Sequence, residues 1–176
     1  MSDDKAIYKV IINAPIELDW AELVKTDEVL PFFFGAVCKT TSELSIGSPM
    51  AMQTKNGKYR SVVGKVLEFS PPHRYAHTFK FTGYDDPPCT VTYDLKEVEG
   101  GVEFSLTTTN VPVGTKTEKG MAQGGKFIVE TFKSVVETGK PSFGGRLMLG
   151  VMGVFQPLTP KICKSENWPF EKIEGL

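Results

Sequence analysis

The spacing of apolar residues along this chain changes period twice. The opening IYKVIINAP (residues 7–15) is rich in β-formers and stops at Pro15, which predicts a first strand. In IELDWAELV (16–24), Leu18 and Ala21, with Trp20 and Leu23 close by, have helical spacing, which predicts a short helix. Thr26 can cap a second short helix, since Asp27 and Glu28 suit the positive start of a helix and Pro31 limits it. PFFFG (31–35) is left as a bulky aromatic corner.

From Ala36 to Asn110 the period is two. Met50 and Met52 alternate with Ala51 and Gln53, and NGK (56–58) is a hairpin signal leading into YRSVVGKVLEF. SPPHR makes the next turn. Beyond it Tyr75, His77, Phe79 and Phe81 share one face, opposite Ala76, Thr78 and Lys80. CTVTYDL sets Cys89, Val91, Tyr93 and Leu95 on one face, and after the EGG turn (99–101) Val102, Phe104 and Leu106 do the same.

Helical spacing then returns. Thr115 and Glu118 have the spacing of a capping box, and Gly139 with Pro141 marks a stop. A helix over 116–138 would be about 34 Å long, enough to lie across a sheet. Its apolar line holds Met121, Ile128, Phe132 and Val135, with Gly125 among them, while Lys126/Glu130 and Lys133/Glu137 form solvated pairs. Each glycine of the Gly124–Gly125 pair costs such a helix roughly 1 kcal/mol. Either the helix kinks or starts near Lys126, or Gly125 enlarges a pocket and Gly124 lets another segment pack closely. After Pro141 comes a different segment. Leu147, Leu149, Val151, Met152, Val154 and Phe155 predict a short helix over 145–155, docked on the domain or on a second subunit, with Trp168 anchoring the chain end.

This order predicts an α+β fold: a curved antiparallel sheet of about seven strands wrapped around a long C-terminal helix, with two short helices after strand one. Residues 1–141 form the main domain and 142–176 a C-terminal extension. A bent sheet cannot fill its own concave side, so the space under the long helix is the natural pocket.

Composition narrows the function. With 20 Lys+Arg against 21 Asp+Glu and net charge −1, the chain lacks the positive patch that nucleic acid demands. Three scattered cysteines (Cys38, Cys89, Cys163) and two histidines (His73, His77) predict neither a disulfide framework nor a metal site. The acidic, then strand-like start is no signal peptide, and the longest apolar run, Leu147–Phe155, is too short to span a bilayer. These features predict a cytoplasmic protein with no integral membrane segment.

In order and spacing, INAP with Trp20, TDEVLPFFFG, GKVLEFSPPHRYAHTF, TVTYDLKEVEGGVEFSLTTTNVP and FKSVVETGKP resemble a known family over residues 6–141. The chain is similar to the helix-grip (START/Bet v, SRPBCC) superfamily, and within it to the branch named for the activator of heat-shock protein 90 ATPase homologue. The resemblance implies binding of apolar small molecules; superfamily relatives include lipid carriers, polyketide cyclases and stress proteins. The branch often carries a Gly-Trp pair early in the long helix, and Gly125 stands where that Trp would be.

The expected function is therefore binding of a hydrophobic small molecule or lipid between sheet and long helix, with no catalytic residue, cofactor or metal assigned. Candidate ligand-binding residues on the strands are Met50, Met52, Tyr75, His77, Phe79, Tyr93 and Phe104. On the long helix they are Met121, Gly125, Ile128 and Phe132. One alternative is a cyclase- or dehydratase-type enzyme using His77 and Tyr93 for proton transfer; the other is a co-chaperone-like interaction domain. No GxSxG, P-loop, GxGxxG or HExxH motif occurs. A homodimer through the C-terminal extension is the candidate assembly.

Overall fold

In the computed structural model, residues 5–176 are described; the acidic start, residues 1–4, lies outside them. Eight antiparallel strands form one sheet in the order β1-β8-β7-β6-β5-β4-β3-β2. They are β1 (Ala6–Ile12), β2 (Val29–Leu30), β3 (Ala36–Thr40), β4 (Pro49–Gln53), β5 (Arg60–Ser70), β6 (Arg74–Phe81), β7 (Cys89–Val98) and β8 (Gly101–Thr109). The first strand pairs with the last, Val10 opposite Phe104, so both ends of the strand region meet on one side of the sheet. A register shift between Val66 and Glu68 bends β5, the longest strand, and curls the sheet.

Helix α1 (Ile16–Leu23) follows β1, as its spacing predicts, but with a different face inward. Ile16, Asp19 and Leu23 are buried, whereas Leu18 is exposed. Ile16 and Leu23 set the docked line, and Leu18 falls two residues, or about 200°, round from Ile16. The expected second helix from Thr26 is replaced by the two-residue strand β2, paired with β3. Pro31 does not close that segment but begins a 3₁₀ turn, Pro31–Phe33, where its fixed φ and missing N–H suit the first helical position. Strand β2 is the eighth strand, one more than the alternation suggested.

Helix α2 (Lys116–Thr138) is continuous through the glycine pair. Thr115 Oγ1 accepts from the Glu118 amide at 3.2 Å, and Glu118 reaches back to the Gly114 amide at 2.8 Å. At the far end Gly139 is left-handed, φ 75°, and its amide bonds the Val135 carbonyl. The helix packs on β1, β8 and the 3₁₀ turn, burying Val129, Phe132 and Val135, and both expected lysine–glutamate pairs form, Lys126–Glu130 on the exposed side and Lys133–Glu137 along the edge that meets β1.

Helix α3 (Phe143–Phe155) forms where expected but does not bury its apolar side chains against the same chain. Leu147, Met148, Val151, Met152, Val154 and Phe155 are all exposed; Gly145 is its buried residue. The chain end behaves differently. Trp168 and Ile173, the latter in α4 (Phe170–Glu174), are buried with Ala51 and Val63 on the outer face of the sheet. Arg60 lies 4.2 Å over the Phe170 ring, and the Trp168 indole donates to the Ile162 carbonyl at 2.8 Å. Among the described residues no helix is long and apolar enough to cross a membrane.

Candidate functional site

Alternation along β4, β6, β7 and β8 turns one side chain in two toward α2. The structure brings Met50, Met52, Tyr75, Tyr93, Phe104 and Phe132 into one buried core, with Phe79, Met121 and Ile128 partly buried against it. His77 is 1% exposed, its ring 5.2 Å from that of Tyr75 and 5.7 Å from that of Tyr93. Rings connect sheet to helix: Tyr93 stacks on Phe104 at 6.1 Å, and Phe104 on Phe132 at 4.3 Å. Phe32 meets Phe132 edge-on at 4.9 Å, and Phe33 meets Tyr93 at 5.9 Å.

The glycine pair has a different explanation from the expected pocket enlargement. A Cβ on Gly125 would lie 2.3 Å from the Tyr8 ring, so an aromatic side chain from β1 already fills the space. Gly124 sits under the Phe34 ring, which itself stacks on Phe127 at 4.5 Å. Gly125 therefore belongs to the packing of Tyr8. Two hollows of about 260 and 440 Å³ lie on the surface, one beside Lys9, Lys96 and Glu103 on the outer face and one beside Tyr59 and Lys164.

Polar groups inside this aromatic interior are few. Thr78's carbonyl can only accept, so at 2.7 Å His77 Nδ1 carries the proton and Nε2, 3.4 Å from the Tyr93 hydroxyl, accepts from it. Burial lowers the His77 pKa to about 4, so the imidazole is neutral at physiological pH. Burial also holds both tyrosine hydroxyls well above their usual range and pushes the Cys38 thiol up to about 12 and the Cys89 thiol up to about 11. The interior thus offers neutral donors, with no thiolate and no base matched to neutral pH. Two hydroxyls, those of Tyr75 on β6 and Thr40 on β3, are buried without a hydrogen-bond partner.

A further unpaired group lies under α1, where both carboxylate oxygens of Asp19 are buried without partners. Burial, and then the nearby Glu137 carboxylate, raises its pKa to about 7. Glu137 itself accepts from the Asn13 amide at 2.7 Å and from Lys133 at 2.9 Å, and both bonds lower its pKa. Sequence reasoning missed Asp19, Tyr8 and the inward Phe32 and Phe33. The first had a signal in its spacing with Ile16 and Leu23, the second in its alternation with Val10 and Ile12. Among the described residues no group of three or more His, Cys, Asp or Glu could hold a metal ion.

A curled antiparallel sheet closed over a long helix, its interior lined by aromatic rings, defines the helix-grip class. Residues 13–137 match the family of Activator of Hsp90 ATPase homolog 1-like proteins, and the chain belongs to that family. Comparison with curated proteins returns no match. Among solved structures, the Aha1 dimer from Colwellia psychrerythraea has a TM-score of 0.61, with 16% identity over 77% of this chain and 98% of that one. CalU16 from Micromonospora echinospora gives 0.59, with 18% identity over 90% of this chain and 88% of that one. PFC0360w, an HSP90 activator from Plasmodium falciparum, gives 0.51, with 21% identity over 83% of this chain and 96% of that one. At these identities the likeness is one of fold.

Proposed function

We propose that this chain is a binding protein for an apolar small molecule, of lipid or polyketide kind, carrying one polar group and held between the sheet and α2. The carrying observation is the Tyr75 hydroxyl, which is buried and unpartnered. Leaving such a group unpaired costs about 1–3 kcal/mol, and a ligand's polar group placed there removes that cost. Around it, Met50 and Met52 supply flexible walls that repack readily. Phe33 packs edge-on against Tyr93 from the end of the 3₁₀ turn and closes this wall of the site. His77 and Tyr93 act as neutral hydrogen-bonding groups rather than as an acid–base pair, because an imidazole with a pKa of about 4 is a weak base at neutral pH. Three buried free cysteines suit a reducing, cytoplasmic setting.

Native mass spectrometry of freshly purified protein, followed by calorimetric titration with oleic acid, tests this reading. A mass adduct or saturable oleate binding is expected. Tyr75→Phe should raise the unliganded melting temperature, because the orphan hydroxyl is gone, while weakening oleate about fivefold through the lost hydrogen bond. Absence of both adduct and saturable oleate binding overturns the proposal, and equal oleate affinity in the variant overturns the role of Tyr75.

A further inference from the structure

We propose that the exposed side of α3 is a self-association surface through which two copies of this chain pair about a two-fold axis. α3 touches the rest of its own chain along a narrow stripe. Gly145 lies against Pro141, Ser142 and Thr131, and one turn on Leu149 reaches Gly35. At about 100° per residue, Phe143, Leu147, Gly150 and Val154 fall on the opposite side of the helix. Phe143 is 78% exposed, Leu147 63% and Val154 76%. Val151 widens this face, exposed Met148 and Phe155 stand on its flank, and Leu158 is exposed just past the helix end.

Size and chemistry select the occupant. The large apolar residues of this face, its flank and the following turn are each 45–78% exposed, together an apolar surface beyond the ~300–600 Å² of the largest patch on a typical monomer and of the order of the ~800 Å² each partner gives to a standard interface. A helix that lies in a membrane surface pairs its apolar side with a strongly charged one. α3 has Arg146 as its one charged residue and no polar side. A second copy supplies an apolar surface of equal extent. Gly150 lies near the middle of the exposed line, and a Cβ built on it would meet nothing within 4 Å. Two helices crossing there can approach closely, with Leu147 of each filling the gap beside the other's Gly150. Such a contact is isologous and closes at two subunits.

Sedimentation of the full chain across a range from below one to about a hundred micromolar tests this, since an interface of that standard size is expected to hold a dimer at micromolar concentration or below. The wild type should be dimeric in the upper part of that range, and its melting temperature should rise with protein concentration. Leu147→Glu with Val154→Glu should give a monomer over the whole range. Gly150→Cys, in an otherwise unchanged chain, checks the geometry should the double variant not fold: copper–phenanthroline oxidation should yield a disulfide-linked dimer. The same treatment of Lys55→Cys, on the exposed hairpin, should not. A wild type monomeric throughout overturns the proposal. So does a dimer that survives both glutamates, or a Gly150→Cys chain that cross-links no better than Lys55→Cys. Binding to phosphatidylcholine–phosphatidylglycerol vesicles, lost in the double variant and with no self-association in solution, overturns it in favour of a membrane surface.

Discussion

Helices α2 and α3 follow one another in the chain, and both are rich in apolar residues and interrupted by glycine, yet they are completed differently. In α2 each of three glycines has an aromatic ring against it: Phe81 at Gly120, Phe34 at Gly124 and Tyr8 at Gly125. In α3, Gly144, Gly150 and Gly153 have nothing within 4 Å. A glycine costs a helix roughly 1 kcal/mol relative to alanine wherever it sits. In α2 ring packing offsets that cost; at these three glycines of α3 nothing within the chain does, and only Gly145 has neighbours of its own, Pro141 and Thr131. The outer sides differ too, since α2 carries the exposed Lys126–Glu130 pair and α3 has no polar side. A glycine in a helix therefore marks a close approach, and the fold decides whether the approaching group belongs to the same chain.

The largest expected effect separates the two helices by core truncation. Phe132 is fully buried between Phe104 and Phe32, so Phe132→Ala should cost about 3–5 kcal/mol. Val154→Ala, at an exposed site, should change the stability of the dilute chain by less than about 0.5 kcal/mol. Urea unfolding at submicromolar protein reads both. A loss at Val154 comparable to that at Phe132 would mean that α3 is already covered within a single chain.

The second effect comes from titrating groups on the covered side. His77, at about 4 in the fold against 6.5 unfolded, refuses a proton that the unfolded chain accepts. Its stability contribution is therefore lost as pH falls from 6.5 and levels off below about 4, a total of about 3 kcal/mol. Asp19, at about 7 against 3.8, keeps a proton that the unfolded chain releases, so its contribution is lost as pH rises from about 4 to 7. Between pH 4 and 6.5 the two slopes oppose and nearly cancel. Asp19→Asn removes one of them, and the variant should be more stable at pH 6.5 than at pH 4.5 by about 2 kcal/mol. The wild-type difference attributable to this pair should be close to zero. A flat profile in Asp19→Asn would show that His77 is not kept neutral by burial.

Much of the fold was legible because its signals are local. Strands β4 to β8 alternate with period two and turn at NGK and EGG, and α2 carries its own cap and stop residues. The inward face of β6 was equally plain, since Tyr75, His77 and Phe79 alternate with smaller or charged residues. What escaped depends on distant partners. Val29 and Leu30 look helical after Thr26, but pairing with Val37 and Ala36 makes them a strand. The contents of the interior escaped for the same reason: Phe32 and Phe33 reach it from a corner that no periodicity places, and Tyr8, although it alternates with Val10 and Ile12, meets Gly125 of α2 only across the fold. A buried carboxylate at Asp19 runs against the burial preferences of its residue type, so spacing alone could not recommend it.

The smallest effect is the sharpest test of why α2 and α3 differ. At Gly124 an added Cβ would lie 3.6 Å from the Phe34 ring, an ordinary contact, so Gly124→Ala should recover helix propensity and stabilise by about 0.5–1 kcal/mol. At Gly125 it would lie 2.3 Å from the Tyr8 ring, so that ring must leave its place. Overpacking costs about 1–3 kcal/mol, and after the propensity gain Gly125→Ala should destabilise by about 1–2 kcal/mol. The adjacent glycines should thus respond with opposite sign to the same methyl group. Tyr8→Ala supplies the control, because with the ring gone Gly125→Ala should become stabilising, like its neighbour. A Gly125→Ala penalty that persists in the Tyr8→Ala background would place the obstruction elsewhere, and the account of α2's glycines as ring seats would fail with it.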